Sequence, residues 1–208
     1  MLFDLEALDG AMAYKLLTAT VQPRPIAWVT TQGADGAVNC APFSFFNAMG
    51  GSPPIVALGL QPRGGVLKDT GRNILETGEF VVNLVPHRLV DQMNITCVDA
   101  PPGVNELELA GLATTPSVKV APPRITESPV SLECRVLETV KAGPLQLVVI
   151  GQVLALHIED DLVSDPARGH LKTRDLDLVT RGGAQDYYRQ GEIFTLVRPL
   201  WSDLAPKD

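Results

Sequence analysis

Pro23-Arg24-Pro25-Ile26-Ala27-Trp28-Val29-Thr30-Thr31, followed by Gly33-Ala34-Asp35-Gly36 and a return through Ala37 to Phe46, is the stretch from which the fold is read. The two prolines around Arg24 impose an extended entry, because a residue before proline avoids the helical region. From Ile26 the side chains alternate: Ile26, Trp28 and Thr30 share one face, and Ala27, Val29 and Thr31 the other. The Gly33–Gly36 stretch predicts a reversal, so residues 25–47 form a hairpin. Pro42 has no N–H to give to a central strand, which puts its strand at an edge or gives it a bulge.

The same punctuation continues outward. Pro53-Pro54 opens a strand over Ile55–Leu60, and a turn is expected over 61–65. Asp69 or Thr70 can cap a helix running to about Glu76, with Gly78 at its end. Glu79 to Val85 is almost continuously apolar and predicts a strand buried on both faces. Residues 1–20 form a short arm with helical placement of Met12, Leu16 and Leu17. Residues 86–129 are a loop-rich excursion punctuated by Pro101-Pro102 and Pro122-Pro123, with a helical turn from Arg88 to about Met93; an excursion this long is either functional or packed on a partner. Val130–Val140 and Leu145–Ile158 are two long strands with a hairpin turn over 141–144. Residues 160–190 are polar and irregular, and Ile193–Val197 reads as a last strand or a strand-like tail. With no internal repeat and no interior linker, residues 1–208 read as a single domain, mainly β: a β-barrel with peripheral helices.

Composition narrows the function classes. Hydrophobic residues make up 45%, enough for a full core, and the 17 prolines and 18 glycines are dispersed between short apolar runs. A net charge of -7 argues against nucleic acid or an acidic membrane as partner, although a local cation cluster can still hold a phosphate. Cys40, Cys97 and Cys134 are widely spaced, which is a poor disulfide framework and predicts a reducing, cytoplasmic setting. Asp4 and Glu6 precede any base, no signal peptide is expected, and no run approaches the roughly 20 apolar residues of a membrane span.

Two stretches carry chemistry. Lys68-Asp69-Thr70-Gly71-Arg72-Asn73 offers an ammonium, a hydroxyl and helix-start N–H groups, the ingredients of a phosphate seat or of an ordinary capped surface helix. Asp69 would repel a phosphate, so it caps the helix or orients Lys68. Ser44-Phe45-Phe46-Asn47 offers aromatic walls beside a hydroxyl and an amide, which suit the faces and edges of a planar ring, or a core strand ending in a turn. Arg24, fixed by its prolines, suits an anion clamp or a solvated surface position. His157 ends a strand just before Glu159, Asp160 and Asp161, and no second histidine stands at ligand spacing, so no metal site is expected. There is no G-x-S-x-G elbow, no P-loop and no G-x-G-x-x-G fingerprint.

Taken in order, Pro23–Thr31, Asn39–Asn47, Pro53-Pro54, Lys68–Thr70, Asn73-Ile74 and Thr77–Asn83 resemble the flavin reductase-like family of FMN-binding split barrels. The likeness continues through Asn105-Glu106, Ala110–Leu112, Glu133-Cys134, Gly151–Val153 and His157, and spans roughly Tyr14 to Tyr188. The resemblance implies a homodimer of six-stranded split barrels with FMN near the subunit interface. It implies flavin contacts from Arg24, Trp28, Thr30, Thr31, Ser44, Phe45, Phe46 and Asn47, with Lys68, Thr70 and Asn73 toward the phosphate and ribityl chain. His157 would lie on the nicotinamide or flavin side. The implied activity is NADH- or NADPH-dependent flavin reduction, with reduced FMN passed to an oxygenase partner. The alternatives are a flavoredoxin-like electron-transfer protein that holds FMN tightly, and a cofactor-free interaction module. Two departures stand out: Arg181 abuts Gly182-Gly183, with the tyrosines late at 187 and 188, so neither Arg181 nor Tyr188 is carried over as a contact; and Asn105 stands where relatives more often have an aspartate.

Overall fold

A computed structural model describes residues 1–62, 65–101, 103–143 and 146–201. The turns expected over 61–65 and 141–144, the second proline of 101–102 and the start of the strand expected at Leu145 run into residues outside the described ones.

One antiparallel sheet organises the chain. Its strands are β1 (Ala27–Gln32), β2 (Val38–Phe43), β3 (Phe46–Gly51), β4 (Pro54–Leu60), β5 (Glu79–Asn83), β6 (Val130–Lys141) and β7 (Leu147–Ile158). They lie side by side in the order β2-β1-β5-β6-β7-β4-β3. The expected hairpin is present, with Thr31 opposite Asn39 and Trp28 opposite Pro42. β2 is an edge strand, as its proline requires.

Among the described residues this sheet has seven strands, where six were expected. The run expected to continue from Ala37 to Phe46 breaks after Phe43, and Phe46 instead opens β3 against β4. The break has a topological cause. β2 and β3 are neighbours in sequence but lie at opposite edges of the sheet, so the chain crosses the seam at Ser44-Phe45. There the Gly59 N–H donates to the Phe45 carbonyl at 2.7 Å. Register shifts in β7 at Ile150/Gly151 and Val153/Ala155 bend that long strand. At the first bend an added Cβ on Gly151 would stand 2.5 Å from Phe80, so only glycine admits the ring there.

The rolled sheet encloses a core that a flat one could not. Ala27 and Val29 of β1 meet Val56 and Leu58 of β4, Phe80 and Val82 of β5 and Val149 of β7. Helix α2 (Asp69–Thr77) covers one mouth with Ile74, and Gly78, in the left-handed region at φ 72°, ends it. Lys68, not Asp69 or Thr70, occupies the cap position of α2 and provides no side-chain cap. The opposite face of β1 carries Ile26 and Trp28 into a second core with Val85, Met93, Leu107, Ile125 and Val179. The excursion after β5 therefore packs on the barrel, through α3 (Val90–Ile95) and α4 (Glu106–Leu109). The N-terminal arm is helix α1 (Gly10–Thr20), whose Asp9 cap accepts from the Met12 N–H at 2.8 Å. Ile193–Val197 forms no strand; the segment has no regular secondary structure and is exposed.

Candidate cofactor site

Two cavities flank the end of β2 and share Pro42, Phe43 and Cys97. The larger, about 500 Å³, lies between β2, the start of α2 and residues Thr96–Ala100. The smaller, about 200 Å³, lies between β2, α1 and the Arg181–Tyr187 turn. An edge strand that stops at a seam leaves its last residues uncovered on both sides, and this places both cavities where they are.

In the larger cavity Lys68, Thr70 and Arg72 converge at the start of α2. The Thr70 hydroxyl accepts from Asn39 Nδ2 at 2.7 Å, so its own proton faces away from that bond and can be donated. The first N–H groups of α2 have no side-chain cap from Lys68, and the helix start favours an anion. Both cations are held by carboxylates: Lys68 Nζ lies 2.5 Å from Asp99 Oδ1, and Arg72 Nη1 lies 2.8 Å from Asp69 Oδ1. Asp69 thus orients Arg72 rather than capping α2 or steering Lys68. Val66, Leu67, Val98 and Phe43 give the cavity its apolar walls.

The smaller cavity brings Arg24 and Ser44 together with residues that sequence reasoning set aside. Arg24 is buried and donates to the carbonyls of Thr18 (2.7 Å), Val21 (2.6 Å) and Gly182 (2.8 Å), with Nε 3.5 Å from Ser44 Oγ. Its hydrogen bonds clamp α1 and the 182 turn together. The Arg181 guanidinium lies 4.5 Å above the Tyr187 ring and donates to the Tyr187 hydroxyl and the Ala184 carbonyl. Tyr188 lies outside, with its hydroxyl on Gln22.

Several expected contacts are placed elsewhere. Trp28 is fully buried in the second core, its indole N–H donating to Thr96 Oγ1 at 2.9 Å, and it lines neither cavity. Thr30 donates to the Pro123 carbonyl at 2.6 Å, and Thr31 accepts from Asn73 Nδ2 at 3.1 Å; Thr30, Thr31 and Asn73 are buried and line neither cavity. Asn73 Oδ1 is buried without a partner among the described residues. Phe45 meets Tyr14 edge-on at 6.1 Å, Phe46 packs on the barrel core, and Asn47 is exposed on β3. His157 lines neither cavity; its Nε2 lies 2.6 Å from Glu133 Oε1.

Sequence reasoning missed Glu106, which is buried and accepts from the Cys40 N–H at 3.1 Å, and the Thr96–Ala100 wall. The Asn105 cap preceding Glu106 was a usable signal for that short helix; the 96–100 wall left none. Burial pushes the Cys97 thiol up, against the opposing pull of Arg181 and Lys68.

A mainly-β barrel whose seam opens onto a cation-lined cleft is the architecture of a flavin-handling split barrel. Residues 20–174 match the model of the flavin reductase like domain, and the chain belongs to that family. An uncharacterized protein of Deinococcus radiodurans is 42% identical over 94% of this chain and 88% of its own length. Nitrilotriacetate monooxygenase component B from Bacillus cereus superposes with a TM-score of 0.90 at 31% identity, covering 94% of this chain and 98% of that one. Pseudomonas fluorescens 2-nitrobenzoate 2-nitroreductase NbaA superposes with a TM-score of 0.88 at 31% identity, covering 96% of each chain. The residues present suit a planar ring with a phosphate tail: uncapped helix N–H groups, Thr70, Lys68 and Arg72 lie at one end, and Phe43, Ser44 and Tyr187 at the other.

Proposed function

We propose that the chain binds FMN across the two adjoining cavities and reduces it with NADH or NADPH. The observation that carries this reading is that the two cavities adjoin at the end of β2, sharing Pro42, Phe43 and Cys97, with the cations Lys68 and Arg72 in the larger one. Lys68, Thr70, Arg72 and the α2 N-terminus would hold the phosphate. Phe43 and Ser44 would meet the ring. When bound, FMN supplies the hydride-accepting chemistry, and the protein supplies position and electrostatics. Hydride transfer requires no side-chain acid or base at the ring, consistent with the absence of a carboxylate among the residues lining the smaller cavity.

The likeness to a monooxygenase component B supports delivery of reduced FMN to an oxygenase partner. A homodimer is part of the same proposal. Exposed Met49, Leu137, Val140 and Leu156 on the sheet offer apolar surface for a second copy.

The test is direct. The purified protein is mixed with FMN and either NADH or NADPH, and oxidation is followed by absorbance. Turnover with one of them supports a reductase. A yellow protein with no turnover on either would make it an electron carrier, and failure to bind FMN would remove the reading altogether.

A further inference from the structure

The two ends of the cleft differ in charge balance. In the larger cavity every cation has a carboxylate beside it: Asp99 with Lys68 and Asp69 with Arg72, while Glu106 also lines the wall. The smaller cavity is lined by Lys15, Arg24 and Arg181 with no Asp or Glu among its residues, in a chain of net charge -7. Among the described residues Arg24 is buried with bonds only to carbonyls and Ser44, and no carboxylate pairs with it. A guanidinium has five N–H donors, and the bonds of Arg181 to Tyr187 and Ala184 leave donors to spare. The Tyr14, Phe43 and Tyr187 rings supply apolar walls, and a volume of about 200 Å³ suits a ring rather than a whole nucleotide.

We infer that the smaller cavity is a planar-anion subsite in which Arg181, backed by Lys15 and Arg24, binds an aromatic ring carrying delocalised or carboxylate negative charge. Two sources share that chemistry: an aromatic carboxylate, and the ring of a reduced flavin, which carries negative charge that the oxidised ring lacks. The second source rests on the FMN reading above, whereas the first does not. For a bound flavin, cations at the ring favour the reduced form and raise its midpoint potential. Arg181 is a positioning and electrostatic residue here. A purely structural role, pinning the turn to Tyr187, would leave both ring binding and potential unmoved.

The experiment has two arms. In the first, protein freed of flavin is titrated with benzoate by calorimetry. Benzoate should bind, about tenfold more weakly to Arg181→Gln than to wild type, with Arg181→Lys in between. In the second, FMN-loaded protein is titrated against a redox dye. Arg181→Gln should lower the midpoint by about 30 mV, a tenfold change for a two-electron couple, while its affinity for oxidised FMN stays within about threefold. Unchanged benzoate affinity and unchanged midpoint in Arg181→Gln would overturn the inference. If FMN does not bind at all, the FMN reading falls and the benzoate arm alone decides the subsite. If Arg181→Gln does not fold, Arg181→Lys and Lys15→Gln replace it, and wild-type benzoate affinity in both would again overturn it.

Discussion

His157 Nε2 lies 2.6 Å from Oε1 of Glu133, a fully buried carboxylate that also accepts the backbone N–H groups of Val118 at 2.9 Å and Lys119 at 2.6 Å. The pair ties the end of β7 and the 117–119 loop to β6. Burial pushes the Glu133 carboxyl up, but the N–H donors and the His157 ring outweigh burial and hold it below its usual value. Its stabilisation is therefore present above the usual carboxyl value of 4.5 and lost as pH falls through the lower folded value. Glu133→Gln should cost about 1.5–3 kcal/mol at pH 7, because charge-assisted bonds are lost and buried donors go unpaired. Urea unfolding at a series of pH values checks this: the gap between wild type and variant should narrow below pH 4.5. A gap independent of pH would show that the charge contributes nothing.

Asp99 competes with any incoming phosphate for the Lys68 ammonium, which it holds at 2.5 Å. Lys68→Ala should weaken FMN by on the order of 1.5 kcal/mol, about tenfold, the low end for a charged contact because both side chains are half exposed. Asp99→Asn should tighten FMN several-fold at low salt, and the gain should shrink at high salt as screening grows. Quenching of flavin fluorescence measures both.

Trp28 separates core from contact. Trp28→Phe keeps an aromatic in the second core but removes the indole N–H that Thr96 Oγ1 accepts, so stability should drop by about 1–3 kcal/mol. FMN affinity should stay within about threefold. A large loss of FMN affinity at unchanged urea midpoint would make Trp28 a ligand contact after all.

Cys97 reports occupancy of the cleft. It is exposed and lines both cavities, whereas Cys40 and Cys134 are buried, the latter pushed up to about 12 chiefly by burial. Ellman's reagent should label one thiol per chain in the native protein at pH 8, and saturating FMN should protect it. Labelling that FMN leaves unchanged would place the flavin away from this cleft.

Much of the architecture was legible because strand signals are local. Alternation over Ile26–Thr31 divided correctly between two cores, with Ala27 and Val29 inside the barrel and Trp28 outside. Pro42 announced an edge strand, and Gly78 a helix end. Phe46–Gly51 was not legible as a separate strand, since only the partner β4 and the closure of the sheet explain why the chain breaks at Ser44. Of the expected site, Lys68, Thr70, Arg24 and Ser44 line the cavities, whereas Thr30, Thr31 and Asn73 are buried away from them.

By itself, then, the sequence determined which residues alternate, where the chain turns, and which short stretch could hold an anion, because each depends on neighbours a few positions away. The tertiary structure alone decided that Arg181 and Tyr187 join Arg24 and Ser44 in one cavity, that Asp99 faces Lys68, and that His157 serves Glu133. Those pairings join residues far apart in the chain. Strand pairing sets His157 against Glu133, and the packing of loops and helices on the sheet sets Asp99 against Lys68 and the 181–187 turn against Arg24.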